Sequence, residues 1–184
     1  TKTLTTAMAR CLVEDVVDPR GVACITYNNE CAIELETRLA ALGIASNDRA
    51  FIGTVHSFAL TQVIVPYARC LPGLLPDEFR VASRAECRAA VEIAYSQVFD
   101  DQFDPHDRWG FAEEKRRRDV DRSRPDWRGC NPELADFIEA YEAELRRRSL
   151  IDFDDMPLIA FRMIQQHGWI RAALRARFPV LFVD

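Results

Sequence analysis

The sequence lacks any long uninterrupted run of apolar residues, because charged side chains break every apolar stretch. A membrane-spanning helix needs roughly 20 consecutive, mostly apolar residues, so the composition argues against an integral membrane protein. The N-terminus also lacks the basic and then apolar pattern of a secretory signal peptide. We therefore expect a cytoplasmic protein.

Closely spaced metal ligands are also missing. The six cysteines are scattered without a Cys-x-x-Cys pair, and the three histidines (His56, His106 and His167) lie far apart in the chain. Structural zinc sites usually draw on pairs of such residues a few positions apart. We expect reduced, buried thiols and no structural zinc ion.

The chain has no overall excess of basic charge. Its formal net charge is −5 at pH 7, which argues weakly against a protein that coats nucleic acid passively. Basic residues do cluster between Lys115 and Arg128, with Trp109 and Trp127 nearby, and this mixture is typical of nucleic-acid contacts. Acidic residues interleave with the basic ones, so a solvated helix face with internal ion pairs explains the cluster equally well.

What the sequence does contain is an alternation of helix and strand patterns. Apolar residues recur at helical spacing from Leu4 to Leu12 and again from Ala32 to Leu42. Short apolar runs at 22–27 and 50–55 are typical of buried strands, and a further helix follows from Ser57. This order predicts a parallel β-sheet flanked by helices.

Residues 66–148 carry helical patterns without convincing strands. A capping box at Ser83-Arg84-Ala85-Glu86 and a helix start at Asn131-Pro132 predict two of these helices. After them, Asp152 or Asp154 can cap another helix, and the apolar run 180–183 predicts a buried strand that ends at Asp184. We predict an all-α subdomain at 66–148, inserted into an α/β domain made of 1–65 and 149–184.

Polar residues follow three of the predicted strands. They are Thr26-Tyr27-Asn28-Asn29-Glu30, Thr54-Val55-His56-Ser57 and Asp184. Open α/β sheets bind ligands where strand ends meet helix N-termini. A tyrosine beside amides suits stacking on a base, and a strand-end aspartate suits Mg²⁺. Each also has a structural interpretation: Tyr27 tucks into the core, Asn28, Asn29 and Ser57 cap helices, His56 is structural, and Asp184 caps a loop.

In this order, these residues resemble the N-terminal motor domain of UvrD/Rep-type superfamily 1 DNA helicases. The family has a motif of the form I-T-F-T-N-K-A-A-x-E-M-x-x-R, matched by residues 25–38, and then T-F-H-S-F/L, matched by residues 54–58. Its D-F-D-D-L segment is matched by residues 152–156, and the start of its V-D-E-Y-Q-D strand by Val183-Asp184. Four ordered matches at compatible spacing make a specific signal.

The resemblance implies a RecA-like P-loop NTPase fold, with a parallel sheet flanked by helices and an inserted all-α subdomain. It implies ATP and Mg²⁺ as cofactors, with Thr1 in the nucleotide and metal site and Asp184 as a second metal residue. It also implies contacts to single-stranded DNA from Thr26, Tyr27, Asn28, Asn29, His56 and Ser57. Glu30 departs from the family, which has a basic residue there, and its charge weakens that contact.

The activity implied for the intact protein is that of an ATP-dependent 3′–5′ DNA helicase or translocase, acting on single-stranded DNA and single/double-strand junctions. The phosphate-binding Gly-Lys would precede Thr1 and the catalytic Glu would follow Asp184, so we expect a fragment that is inactive by itself. Two alternatives stay open: a motor subunit of a helicase-nuclease complex in recombination or anti-phage defence, and a non-catalytic DNA-binding module.

Overall fold

A computed structural model describes residues 2–44, 49–76, 78–101, 103–124, 126–129 and 131–184. The chain divides into two compact units, Thr1–Tyr67 with Met163–Asp184, and Ala68–Arg162. The sequence patterns had suggested division points near residues 65 and 149. None of the helices in the described residues is long and apolar enough to span a membrane.

The elements follow the predicted alternation. The α-helices are α1 (Lys2–Arg10), α2 (Asn29–Ala41), α3 (Val55–Phe58), α4 (Val65–Tyr67), α5 (Arg84–Val98), α6 (Pro105–Arg118), α7 (Asp126–Gly129), α8 (Pro132–Arg147), α9 (Asp155–Gln166) and α10 (Gly168–Arg177). The strands are β1 (Val22–Thr26), β2 (Ala50–Thr54), β3 (Arg80–Val81), β4 (Leu150–Ile151) and β5 (Val180–Val183). Short π-helical segments, Cys11–Asp15 and Ala59–Ile64, extend α1 and α3.

The first unit is built on a parallel sheet with the strand order β2-β1-β5. Helices α1 and α2 pack on one face of it, where Met8, Leu12 and Leu35 join Val22 and Cys24 in a buried core. The central strand β1 is buried on both faces, as its apolar sequence predicted. This arrangement confirms the predicted mixed α/β fold with a parallel sheet flanked by helices.

Strand β5 differs from the prediction of a buried strand. It lies at the edge of the three-stranded sheet and its side chains alternate. Val180 and Phe182 pack against the core shared with α1 and α2, whereas Leu181 and Val183 are exposed. An apolar run indicates burial on both faces, but here the described residues cover only one face of β5.

Gly21 precedes β1 at a point where two stretches of backbone meet. A Cβ atom at this position would collide with the carbonyl group of Arg49, which accepts a hydrogen bond from Val22 N–H at 2.8 Å. Gly21 N–H in turn donates to the carbonyl of Arg177 at 2.7 Å. A glycine is therefore required for the central strand to enter the sheet.

The second unit is mainly helical, with an aromatic core between α5, α6 and α8. Phe137 lies at its centre, with ring centroids 5.3 Å from Trp109 and 5.8 Å from Tyr95. The predicted capping box holds the start of α5, where Ser83 N–H donates to Glu86 and Glu86 N–H to Ser83 Oγ. The short parallel pair β3–β4 is an addition that the helical patterns did not predict.

The five cysteines in the described residues are free thiols. Cys24 is buried in the sheet, and burial, reinforced by the negative charge of Asp184, raises its pKa to about 11. Cys70 is exposed and the other three are partly exposed, so the prediction of buried thiols is confirmed only at Cys24 among the described cysteines. Cys130 lies outside the described residues.

Candidate functional site

The polar segments singled out in the sequence meet at one edge of the sheet in the first unit. The register of β1 and β2 places Thr26 beside Thr54, and that of β1 and β5 places Ile25 beside Val183. Asp184 continues this line, because its N–H donates to the carbonyl of Ile25 at 3.0 Å. All three segments therefore lie at the carboxyl ends of parallel strands, where open α/β sheets bind ligands.

The turn from β1 into α2 presents an aromatic ring to solvent. Tyr27 is 91% exposed, so the interpretation that it tucks into the core is wrong. Beside it, Asn28 caps α2 by accepting a hydrogen bond from Cys31 N–H at 2.8 Å, and Asn29 opens the helix with an exposed side chain. A rigid turn thus carries a free ring and an amide, a combination that suits stacking on a nucleic-acid base.

Thr26 lies beneath this turn and is only 1% exposed. Its hydroxyl donates to the carbonyl of Asn28 at 2.9 Å and lies 3.4 Å from the carbonyl of Gly53. These contacts tie the turn after β1 to the end of β2. Thr26 therefore positions its neighbours, whereas Tyr27, Asn28 and Asn29 form the accessible part of the turn.

Helix α3 is capped three residues earlier than the sequence predicted. Ser57 was the predicted N-cap, but Thr54 fills that position and accepts a hydrogen bond from Ser57 N–H at 3.2 Å. The chain turns into the helix directly after β2, so the cap falls on the last residue of the strand. Ser57 Oγ donates back to the carbonyl of Thr54 at 2.9 Å.

Gly53 allows this tight turn. A Cβ atom there would lie 2.5 Å from Ser57 Oγ and 2.9 Å from the ring of Phe51, distances that real Cβ contacts do not reach. His56 sits in the first turn of α3 with a half-buried side chain. His56 and Ser57 thus lie beside a helix N-terminus, where backbone N–H groups favour anions such as phosphate.

Of the two residues predicted to bind nucleotide and metal, the structure describes one. Asp184 is exposed at the sheet edge and has no cationic partner among the described residues. Its charge reaches the interior of the sheet, since it contributes to the raised pKa of Cys24. Thr1, the other predicted nucleotide and metal residue, lies outside the described residues, and α1 begins at the next residue, Lys2.

The Asp-rich segment at 152–155 has a different environment in the second unit. Asp152 Oδ1 accepts a hydrogen bond from Asp155 N–H at 2.7 Å, and Asp155 Oδ2 accepts one from Asp152 N–H at 3.0 Å. Of the two predicted caps, Asp152 is thus the one that holds the start of α9. Both carboxylates are buried, whereas Asp184 is exposed.

These carboxylates surround a buried arginine. Arg116 is only 2% exposed and donates to both oxygens of Asp152, at 2.7 and 3.2 Å, and to Asp155. Its Nε donates to Glu142 at 3.0 Å, and the hydroxyl of Tyr141 donates to Asp152 at 2.7 Å. The sequence patterns did not predict this network, since its only local signal is the position of Arg116 within a basic run.

Burial and charge act in opposite directions on the pKa values of this network. Burial alone would lower the pKa of Arg116, but Asp155 and Asp152 hold it well above its ordinary value. Burial likewise opposes ionisation of Asp152, yet Arg116 keeps the pKa of that carboxyl below normal. Asp155, with a second carboxylate beside it, has a pKa that burial raises to about 6.

Most of the rest of the basic segment is also paired within the second unit, and Arg124 is the exception among its described residues. Lys115 donates to Asp119 at 2.9 Å, and Arg117 contacts Asp154 at 3.0 Å. The two tryptophans near the segment are not free for stacking. Trp127 is buried and donates its indole N–H to Glu139 at 3.0 Å, while Trp109 packs in the aromatic core. The structure thus favours internal ion pairing over an exposed nucleic-acid grip.

Comparison with known proteins supports the same assignment as the motifs. The family model of the UvrD/REP helicase N-terminal domain matches residues 1–184. ATP-dependent DNA helicase PcrA of Leuconostoc citreum is 26% identical over 193 residues, covering 100% of this chain and 25% of that relative. A probable DNA helicase II homolog of Mycoplasma capricolum subsp. capricolum is 21% identical, covering 100% of this chain and 26% of its own length. The chain spans about a quarter of the length of these relatives.

Proposed function

Since this chain belongs to the UvrD/REP helicase N-terminal domain family, we propose that the intact protein is an ATP-dependent 3′–5′ DNA helicase or translocase on single-stranded DNA. The chain supplies part of its ATP-binding half. The observation that carries this proposal is the alignment of Tyr27, Ser57 and Asp184 at one edge of a parallel sheet. Ligands bind at such edges, where helix N-termini and strand-end carboxylates meet.

In this proposal, single-stranded DNA lies across the two strand-to-helix turns. The exposed ring of Tyr27 stacks on a base, and Asn28 and Asn29 donate to the sugar-phosphate backbone. His56 and Ser57 contact the same strand from the start of α3. Thr26 supports the surface from below, because its hydroxyl joins the two turns.

The nucleotide site takes ATP with Mg²⁺. An exposed carboxylate without a cationic partner among the described residues fits a hard cation, and Asp184 meets that requirement, with Thr1 as the second proposed ligand. Bound Mg²⁺ neutralises the charge that develops on the phosphates during transfer. Groups outside this chain are needed to position the attacking water, so the 184-residue chain alone has negligible ATPase activity.

The test uses the full-length protein that carries this chain. Asp184→Asn should lower DNA-stimulated ATP turnover at least about a hundredfold, because metal positioning contributes several kcal/mol to the barrier. Binding of single-stranded DNA without nucleotide should stay unchanged. Asp18→Asn is the matched control, since Asp18 is also an exposed aspartate and lies before β1, at the opposite end of the strands.

Two results would contradict the proposal. Full turnover in Asp184→Asn would remove that residue from the metal site, and no turnover in the native protein would favour the non-catalytic DNA-binding module. Direction is measured separately with partial duplexes that carry a 3′ or a 5′ single-stranded tail. Unwinding should require the 3′ tail.

A further inference from the structure

A concavity of about 400 Å³ in the second unit is lined by three arginines from different elements. Arg122 lies in the loop after α6, Arg146 near the end of α8, and Arg162 on α9. The rest of the lining includes Trp127 and two carboxylates, Glu139 and Glu142. None of these residues belongs to the strand-end site of the first unit.

Glu142 cannot satisfy the arginines around it. One of its oxygens accepts from Arg116 Nε at 3.0 Å and also from Arg122, and the other accepts from Arg122 at 2.8 Å. Arg162 comes no closer to this carboxylate than 3.9 Å, which is beyond hydrogen-bond distance. The other carboxylate of the lining, Glu139, already accepts hydrogen bonds from Arg128 and from the indole N–H of Trp127.

Several N–H donors in the concavity consequently lack an acceptor. Arg122 Nε is buried and has no hydrogen-bond partner in the part of the chain that the structure describes. Within the same residues, Arg162 has only the long contact to Glu142, and the side chain of Arg146 has neither an ion pair nor a hydrogen bond. Of these donors Arg122 Nε is the buried one, and a buried donor without an acceptor is costly, so that an anion would remove that cost.

The electrostatics of the concavity agree with its geometry. Burial lowers the pKa of Arg162, and the positive charges of Arg122 and Arg146 lower it further. Like charges held together around a cavity in this way repel one another, so that a bound anion would stabilise all three. The positive charges that line the concavity therefore favour the binding of an anion.

We propose that Arg122, Arg146 and Arg162 form a binding site for a phosphate group. Arg146 and Arg162 offer guanidinium forks, which match the oxygens of phosphate in bidentate geometry. Arg122, whose fork binds Glu142, offers its remaining Nε–H. The phosphate comes either from a nucleic-acid backbone or from a free phosphorylated molecule. This site is separate from the proposed single-strand track and does not depend on it.

The first arm of the test measures the binding of a free phosphate compound, with pyrophosphate as the probe. Calorimetric titration of the full-length protein should show binding that Arg146→Gln and Arg162→Gln each weaken by at least about tenfold, the loss of a charge-assisted hydrogen bond. Arg147→Gln is the control. It removes the same charge from the same helix, but Arg147 pairs with Glu144 and does not line the concavity.

The second arm measures binding to a nucleic-acid backbone, with a labelled blunt-ended duplex as the probe. If the site holds a backbone phosphate, Arg146→Gln should weaken binding and reduce the slope of log affinity against log salt by about 1, relative to Arg147→Gln. Arg146→Lys should retain the salt slope but lose part of the affinity, because the charge stays and the fork is lost.

The two arms separate the sources of phosphate. An effect on the duplex assigns the site to nucleic acid, and an effect on pyrophosphate alone assigns it to a small phosphorylated ligand. The proposal is overturned if Arg146→Gln and Arg147→Gln behave alike in both arms, or if acetate at equal ionic strength competes as well as phosphate. Arg146 is exposed, so its variants should fold normally, which circular dichroism checks.

Discussion

Asp184 in the first unit and Asp152 in the second both belong to segments that resemble family motifs, yet their surroundings are opposite. Asp184 is exposed at the end of a strand and has no cationic partner among the described residues. Asp152 is buried and makes hydrogen bonds with Arg116, Tyr141 and Asp155. One carboxylate is available to a ligand, and the other is already used to hold the fold.

This contrast shows that a motif match by itself does not distinguish a residue that binds a ligand from a residue that stabilises the fold. Carboxylates of either kind can follow an apolar run in the sequence. What separates them is whether a partner of opposite charge reaches them after folding.

Replacement of the buried arginine should be the most damaging change. Arg116→Met leaves Asp152, Asp155 and Glu142 without their shared partner in a buried site. An uncompensated buried charge typically costs about 3–5 kcal/mol, so the free energy of unfolding should fall by that amount in urea titrations. Spectroscopic probes within the second unit should report the change.

The matched control is the next residue of the same helix. The side chain of Arg117 is 58% exposed and pairs with Asp154 and Glu113 at the surface. Arg117→Met should cost no more than about 1 kcal/mol, the usual contribution of an exposed ion pair. Equal losses in the two variants would refute the structural role assigned to Arg116.

The buried acid pair should make stability depend on pH. The pKa of Asp155 rises on folding from its ordinary 3.8 to about 6, so the folded state binds more protons than the unfolded state between these values. The free energy of unfolding contributed by this group is therefore highest below about pH 4 and is lost as the pH rises through 6.

Asp155→Asn removes this dependence. Between pH 4.5 and 7.5, the unfolding free energy of the variant should rise relative to that of the native chain by about 2 kcal/mol. Glu113→Gln, at an exposed position that pairs with Arg117, provides a control for general acid effects. Parallel pH profiles for the native chain and Asp155→Asn would show that Asp155 is ionised throughout this range.

The exposed ring of Tyr27 should contribute to the affinity for DNA and hardly at all to the stability of the fold. In the full-length protein, Tyr27→Ala should weaken single-stranded DNA binding by about 1–3 kcal/mol, the contribution of one base-stacking contact. Its thermal midpoint should not change, because Tyr27 is 91% exposed. Tyr27→Phe should bind as the native protein does, and unchanged affinity in Tyr27→Ala would remove this residue from the site.

Local patterns predicted much of the first unit correctly. The apolar runs marked β1 and β2, the stripe from Leu4 to Leu12 marked α1, and Asn28 marked the start of α2. Each of these signals depends on residues close in sequence, whose spacing directly reflects the geometry of a helix or strand. The position of the cap before α3 was missed, since both Thr54 and Ser57 are good capping residues and only the backbone path separates them.

The sequence patterns did not predict contacts between residues that are far apart in the chain. Arg116 and Asp152 are separated by 36 positions, and nothing local in the basic segment indicates that one arginine of the run is buried while its neighbour is exposed. The gathering of Arg122, Arg146 and Arg162 around one concavity is of the same kind. Such arrangements depend on how whole helices pack.

The sequence by itself determined most of the elements, the caps of α2, α5 and α8, and the family, because these follow from periodicity and from ordered motifs along the chain. Only the tertiary structure decided which charged groups are free. Parallel pairing brings three strand ends to one edge and leaves Tyr27 and Asp184 exposed there, whereas helix packing buries Arg116 among acids. Burial and charge pairing are properties of three-dimensional neighbours, and a linear pattern does not contain them.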